Sequence, residues 1–281
     1  MIQGRELALA VLSLRGRPAE AIVRAAADAG FDSITLRIVE PKPGDHGHLV
    51  HDATARRSLH SLMDGEGVTL LDVEVVRLRP GTQLRFLLPA LDAAAELGAR
   101  HVLTVCDDPE EERFLASLLA LSSACEERGL TTALEFMRFS ECRSFEHAVR
   151  TVQRGRAAGA ATLGVLVDAL HLHRSGGTPE QVAAVAGEFP ELFPYVQLCD
   201  GPSKPPRGGV AQIRDEAVTA RLLPGDGELP LLRLLAALPA GIPASLETPV
   251  RDLELLDDAA KAGAAFDAGC RLLRGTTTMA R

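Results

Sequence analysis

The chain has 281 residues, 46% hydrophobic and 24% charged, which excludes a disordered polymer and suits one large domain or two modest ones. A formal charge of −8 argues against a dedicated nucleic-acid binder, and no uncharged apolar stretch approaches the roughly 20 residues that span a bilayer. Five cysteines, none in CxxC spacing, read as reduced thiols, so a cytoplasmic protein is expected.

Short leucine-rich or β-branched runs alternate with alanine-rich amphipathic runs from end to end. Residues 7–12 read as the first strand, and 18–30 as a helix with Pro18 in its first turn and Gly30 at its end. Strand two is expected over 33–39 and its helix over 53–66; strand three over 68–78 and its helix over 83–98. Residues 101–106 form strand four and 109–129 its helix; 131–136 strand five and 144–159 its helix. Strand six covers 163–168, followed by a helix over 178–189 that Thr178, Pro179 and Glu180 start. Strand seven covers 195–199, its helix 230–238, strand eight 244–247 and the last helix 253–273. Residues 200–223 have no clear element.

Eight strand–helix units without a linker predict a single closed (β/α)8 barrel spanning residues 1–281. The continuous apolar strands fit a parallel sheet covered on both faces. An open doubly wound sheet is the rival. It calls for a glycine-rich phosphate loop after the first strand, where this chain reads SLRGRPAE over residues 13–20.

Catalytic groups of such a barrel sit at the C-terminal ends of its strands. Glu135 ends the fifth run (ALEF), Asp168 and His171 the sixth (VDALH), Gln197 and Asp200 the seventh (YVQLCD), and Glu247 the eighth (SLETP). One carboxylate at a strand end is more often a helix cap or half of a salt bridge. Four oxygen donors on four consecutive strands converge, and three carboxylates in one place need a cation. An all-oxygen set suits one hard divalent ion, Mg2+, Mn2+ or the borderline Co2+.

With these motifs the chain resembles the sugar-phosphate isomerase/epimerase superfamily, the xylose isomerase-like barrels. ALEF, VDALH, YVQLCD, RLLPGDGELP (residues 221–230) and SLETP carry the resemblance, which covers the whole chain. It implies Glu135, Asp168, Gln197 and Glu247 as ligands of one catalytic metal, with Gln197 where relatives often have His. Gln at that place is similar to 3-dehydroshikimate dehydratases, which makes a lyase the alternative. The resemblance also implies that His171 and Arg221 contact substrate, and that residues 224–227 form the turn leading to the seventh helix.

The expected chemistry is removal of a proton next to a carbonyl, with Glu135 and Glu247 as acid/base groups and His171 handling a proton on a substrate oxygen. The expected substrate is a small keto sugar, polyol or cyclic keto acid; no nucleic acid or membrane is called for, and a homo-oligomer is left open. Structural alternatives stand beside these roles: Arg221 bracing its loop through Asp226 or Glu228, and His171 as a satisfied core histidine. His46, His48 and His51 could line the substrate mouth, Glu74 and Arg77 could touch substrate or pair internally, and Arg207 and Arg214 could bind an anion or be solvated. An apurinic-site endonuclease and a non-catalytic barrel are the remaining rivals. The first wants more histidine ligands than this chain offers after His173.

Overall fold

The computed structural model describes residues 1–2, 4–39 and 45–279. Eight strands close into one barrel in sequence order, every neighbouring pair parallel. They are β1 (Leu7–Leu9), β2 (Ser33–Arg37), β3 (Thr69–Leu78), β4 (His101–Cys106), β5 (Thr131–Glu135), β6 (Gly164–Asp168), β7 (Val196–Leu198) and β8 (Ala244–Leu246). The outer helices are α1 (Ala19–Ala29), α2 (His48–His51), α3 (Ala53–Glu66), α4 (Leu88–Glu96), α5 (Glu111–Glu126) and α6 (Phe145–Ala157). They continue as α7 (Ala169–Arg174), α8 (Pro179–Glu188), α9 (Val210–Thr219), α10 (Leu231–Ala237) and α11 (Asp258–Met279). Among the described residues no helix is long and apolar enough to cross a membrane.

Local chemistry sets the boundaries. Asp52 caps α3, Glu110 caps α5 and Ser144 caps α6, while Thr178 and Gln181 close a capping box on α8. Gly30 ends α1 at φ +97°, with Phe266 of α11 only 3.0 Å from where a Cβ would stand, so both its conformation and its packing want glycine.

The apolar residues divide into two cores. A large outer layer joins the outward faces of the strands to the helices, and a smaller one, including Ala8, Leu103, Ala133, Leu166 and Tyr195, fills the barrel axis. Strand side chains alternate, so the residue two positions beyond an axial one is axial again. Ala133 is thus followed by Glu135, Leu166 by Asp168, Tyr195 by Gln197 and Ser245 by Glu247, and the polar member stands at the C-terminal mouth each time. At the other end His101 stacks on Tyr195 at 5.0 Å, and burial pushes its pKa down to about 3.

Besides the short helices α2 and α7, which the sequence reading did not include, two segments depart from it near the mouth. The first strand stops at Leu9 because residues 11–14 turn into a 3-10 helix, whose Val11 N–H donates to Thr35 Oγ1 and whose Ser13 hydroxyl donates to the Leu246 carbonyl. The long seventh connection contains α9, which has few apolar residues and is anchored by a buried bidentate pair between Arg174 and Glu216, both contacts at 2.7 Å.

Candidate active site

The four strand-end residues surround the C-terminal mouth of the barrel. Asp168 and Gln197 are fully buried, while Glu135 and Glu247, each 5% exposed, reach the floor of a cavity of about 730 Å³. Parallel register aligns Asp168 with Gln197, and Gln197 with Ser245, two residues before Glu247.

Asp168 is engaged at both oxygens. Oδ1 accepts from the His171 N–H at 2.8 Å as N-cap of α7, and Oδ2 accepts from Arg221 Nη1 at 2.5 Å. The other terminal nitrogen of Arg221 stands 2.5 Å from Glu247 Oε2. The guanidinium also donates through Nε to the Ala217 carbonyl at 2.7 Å and through Nη1 to the Cys199 thiol at 3.2 Å. Arg221 therefore bridges two expected ligands and does not brace its loop through Asp226 or Glu228. It still lines the cavity. Among the described residues no three His, Cys, Asp or Glu side chains already stand together as a metal cage. The guanidinium lies between two of the four expected ligands.

Electrostatics follow from this packing. Burial, then repulsion from Glu247 and Asp168, pushes Glu135 well above the carboxylate range, with Arg221 opposing. Burial opposes ionisation of Asp168 too, but Arg221 and the His171 ring and N–H hold its pKa below the usual value. Glu247 is pushed up to about 7 by burial, against the pull of Arg221. His171 is buried with its ring edge-on to Phe139, and desolvation lowers it to about 4. It is a neutral imidazole, its Nε2 3.7 Å from Glu135 Oε1, its Nδ1 without a hydrogen-bond partner among the described residues.

The mouth contains further groups. Arg37 pairs with Glu74 at 2.5 Å, Thr35 donates to the same carboxylate at 3.1 Å, and both Arg37 and Glu74 line the cavity. Arg37 was not picked out as a site residue in the sequence; its place at the C-terminal end of β2 was the available signal. Arg77 lines the rim while pairing with Asp107 at 3.2 Å, and Arg79 and Arg214 line it too. His46, by contrast, is buried against the Arg17 carbonyl at 2.8 Å, and none of His46, His48 and His51 lines this cavity. Asp200 is a bracket: its carboxylate accepts from the N–H groups of Gly201, Gly225 and Leu229, which ties strand β7 to the turn at 224–227.

The donors present fit a divalent ion. The Gln197 side chain is wholly buried, and neither its oxygen nor its nitrogen has a hydrogen-bond partner among the described residues. A buried amide left so costs stability unless something ligates it. Four buried carboxylates, Glu74, Glu135, Asp168 and Glu247, meet two buried or half-buried guanidiniums, Arg37 and Arg221. The carboxylates outnumber the guanidiniums, an imbalance that a hard cation with oxygen ligands would relieve.

A family model described as xylose isomerase-like TIM barrel matches residues 23–275. Among solved structures, a xylose isomerase-like TIM barrel/4-hydroxyphenylpyruvate dioxygenase fusion protein superposes with a TM-score of 0.80 at 20% identity. The superposition covers 98% of this chain, which spans 43% of the fusion protein's length. The IolI protein, crystallised with a bound zinc atom, gives 0.78 at 17% identity over 96% of this chain and 99% of its own. A D-psicose 3-epimerase crystallised in the presence of D-fructose gives 0.71 at 13% identity over 95% and 97%. No curated protein matches the sequence.

Proposed function

The chain belongs to the xylose isomerase-like TIM barrel family, and we propose that it is a divalent-metal-dependent isomerase or epimerase that moves a proton next to the carbonyl of a keto sugar or polyol. The observation that carries this reading is the ring of Glu135, Asp168, Gln197 and Glu247 at the mouth, with the orphaned Gln197 amide at its base. The zinc of IolI and the sugar present with the D-psicose 3-epimerase are consistent with it.

An ion held by Glu135, Asp168, Gln197 and Glu247 would supply Lewis-acid stabilisation of the charge developing on a substrate carbonyl oxygen. Glu247 and Glu135, which line the cavity beside that ion, are the acid/base groups that take and return the carbon-bound proton. His171, a neutral ring that lines the cavity, exchanges a proton with a substrate oxygen. Arg221 holds a polar or anionic substrate group once it faces the cavity. Leu12, Val75, Leu103, Met137 and Phe139 make the apolar wall that limits water around these groups. Return of the proton to the same carbon gives an epimer, and delivery to the neighbouring carbon an isomer.

A second reading, a lyase that dehydrates a cyclic keto acid, is favoured by the arginines Arg77, Arg79 and Arg214 at the rim, which suit a substrate carboxylate. One experiment tests both. Protein purified without chelator is analysed for metal and titrated with Mn2+. The loaded enzyme is then screened against ketoses, inososes and 3-dehydroshikimate with product analysis. Ion binding that Glu135→Ala combined with Glu247→Ala abolishes, together with an epimerised or isomerised product, supports the first reading. An unsaturated acid supports the second. Equal ion binding by the double variant overturns the metal site.

A further inference from the structure

We propose that Arg221 is the resident counter-ion of the ligand cluster, which a divalent ion displaces, so that the guanidinium is released from Asp168 and Glu247 into the cavity it borders only after the ion has bound. The proposal rests on the ion-binding reading above and adds an order of events to it.

The juxtaposition is specific. Asp168 Oδ1 accepts the His171 N–H in capping α7, and Oδ2 carries Arg221 Nη1 at 2.5 Å. Glu247 Oε2 carries the other terminal nitrogen at the same distance. A divalent ion drawing on both carboxylates binds beside the guanidinium, and two cations in one buried site repel. The remaining ties of Arg221 are weaker competitors: a backbone carbonyl at Ala217 and the Cys199 thiol, kept protonated by burial, which pushes it up to about 12. Rotation of the side chain into the cavity gives up both. The cavity of about 730 Å³ directly adjoins Arg221, so the long side chain has somewhere to go without unfolding anything. Glu135 and Gln197, by contrast, have no guanidinium on them.

Two consequences follow. The metal-free protein keeps Asp168 and Glu247 neutralised by an internal cation. Ion binding turns that cation into a substrate-binding group, so substrate recognition through Arg221 is conditional on the metal. An Arg-in state populated to about 90% lowers apparent ion affinity about tenfold.

Two measurements on the full chain test this. Chelator-stripped wild type is treated with phenylglyoxal with and without Mn2+, and modified arginines are mapped by peptide mass; exposed Arg214 reports reagent access in both samples. Arg221 should be protected without the ion and labelled with it. Labelling that ignores Mn2+ overturns the proposal. Calorimetric titration with Mn2+ then compares wild type with Arg221→Met, which should bind about tenfold tighter or better. Equal, finite affinities overturn the displacement while leaving the metal site standing. Absence of binding to both proteins overturns the metal site as well. If Arg221→Met does not fold, the wild-type labelling decides alone.

Discussion

Replacing Asp200 by alanine removes a bracket whose strength the structure allows to be reckoned. Its carboxylate accepts from Gly201 N at 2.8 Å, Gly225 N at 2.9 Å and Leu229 N at 2.9 Å, and the residue is 2% exposed. Hydrogen bonds to a buried charged group contribute roughly 1.5–3 kcal/mol each, less than additively, so Asp200→Ala should cost about 4 kcal/mol. At about 2.1 cal/mol/K per residue, 281 residues unfold with an entropy of about 0.6 kcal/mol/K, so Tm should fall by about 7 °C. Asp200→Asn is the informative control. Its oxygen can keep the two donors at Oδ1, Gly201 and Leu229, while its amide faces the Gly225 N–H with another donor, so its loss should be about half as large. Gly227→Ala should resemble Asp200→Ala, because a Cβ there would stand 2.6 Å from Gly201 N. Urea denaturation of metal-free protein measures all three. A midpoint for Asp200→Ala within error of wild type would refute the reasoning, since it would mean that the turn at 224–227 is held by something else.

Gln197→Leu replaces an unpartnered buried amide by an apolar side chain of similar size. It should raise the Tm of metal-free protein by about 2–5 °C while abolishing ion binding, and Gln197→His should keep ion binding; calorimetric titration and a melting curve check both. His171→Ala should leave ion affinity within a few-fold of wild type and lower turnover by roughly 100- to 10,000-fold on whichever substrate the screen identifies. His101, held near pKa 3 in the fold against about 6.5 unfolded, takes up its proton in the unfolded chain first. Stability should therefore fall as pH drops from about 6.5 towards about 3, by at most about 1.4 kcal/mol per pH unit from this group, and His101→Gln should flatten the slope of Tm against pH.

Much of the architecture was legible because its signals are local. The period of the apolar residues changes between strand and helix within a few positions, and caps such as Thr178 and Ser144 mark helix starts in the sequence itself. Strand β4 and helix α3 fall where the pattern places them, at His101–Cys106 and Ala53–Glu66. The helix α9 escaped because its stability comes from elsewhere: Glu216 meets Arg174, 42 residues away, and only Ile213, Glu216 and Ala217 are buried.

At the mouth, the strand-end positions of Glu135, Asp168, Gln197 and Glu247 could be read from the chain, since a polar residue closing an apolar run is visible in one dimension. What each touches could not. Asp168 is a helix cap, half of an ion pair and a candidate ligand at once, and its partner Arg221 lies 53 residues away. Arg37 and Glu74 find each other across 37 residues because strands β2 and β3 lie side by side. Residue type and periodicity decide which side chains face the axis, because the backbone geometry of a strand repeats every two residues. Which charge neutralises which depends on separations that exist only after the barrel has closed, and electrostatic energy depends on those separations and on burial, not on position along the chain.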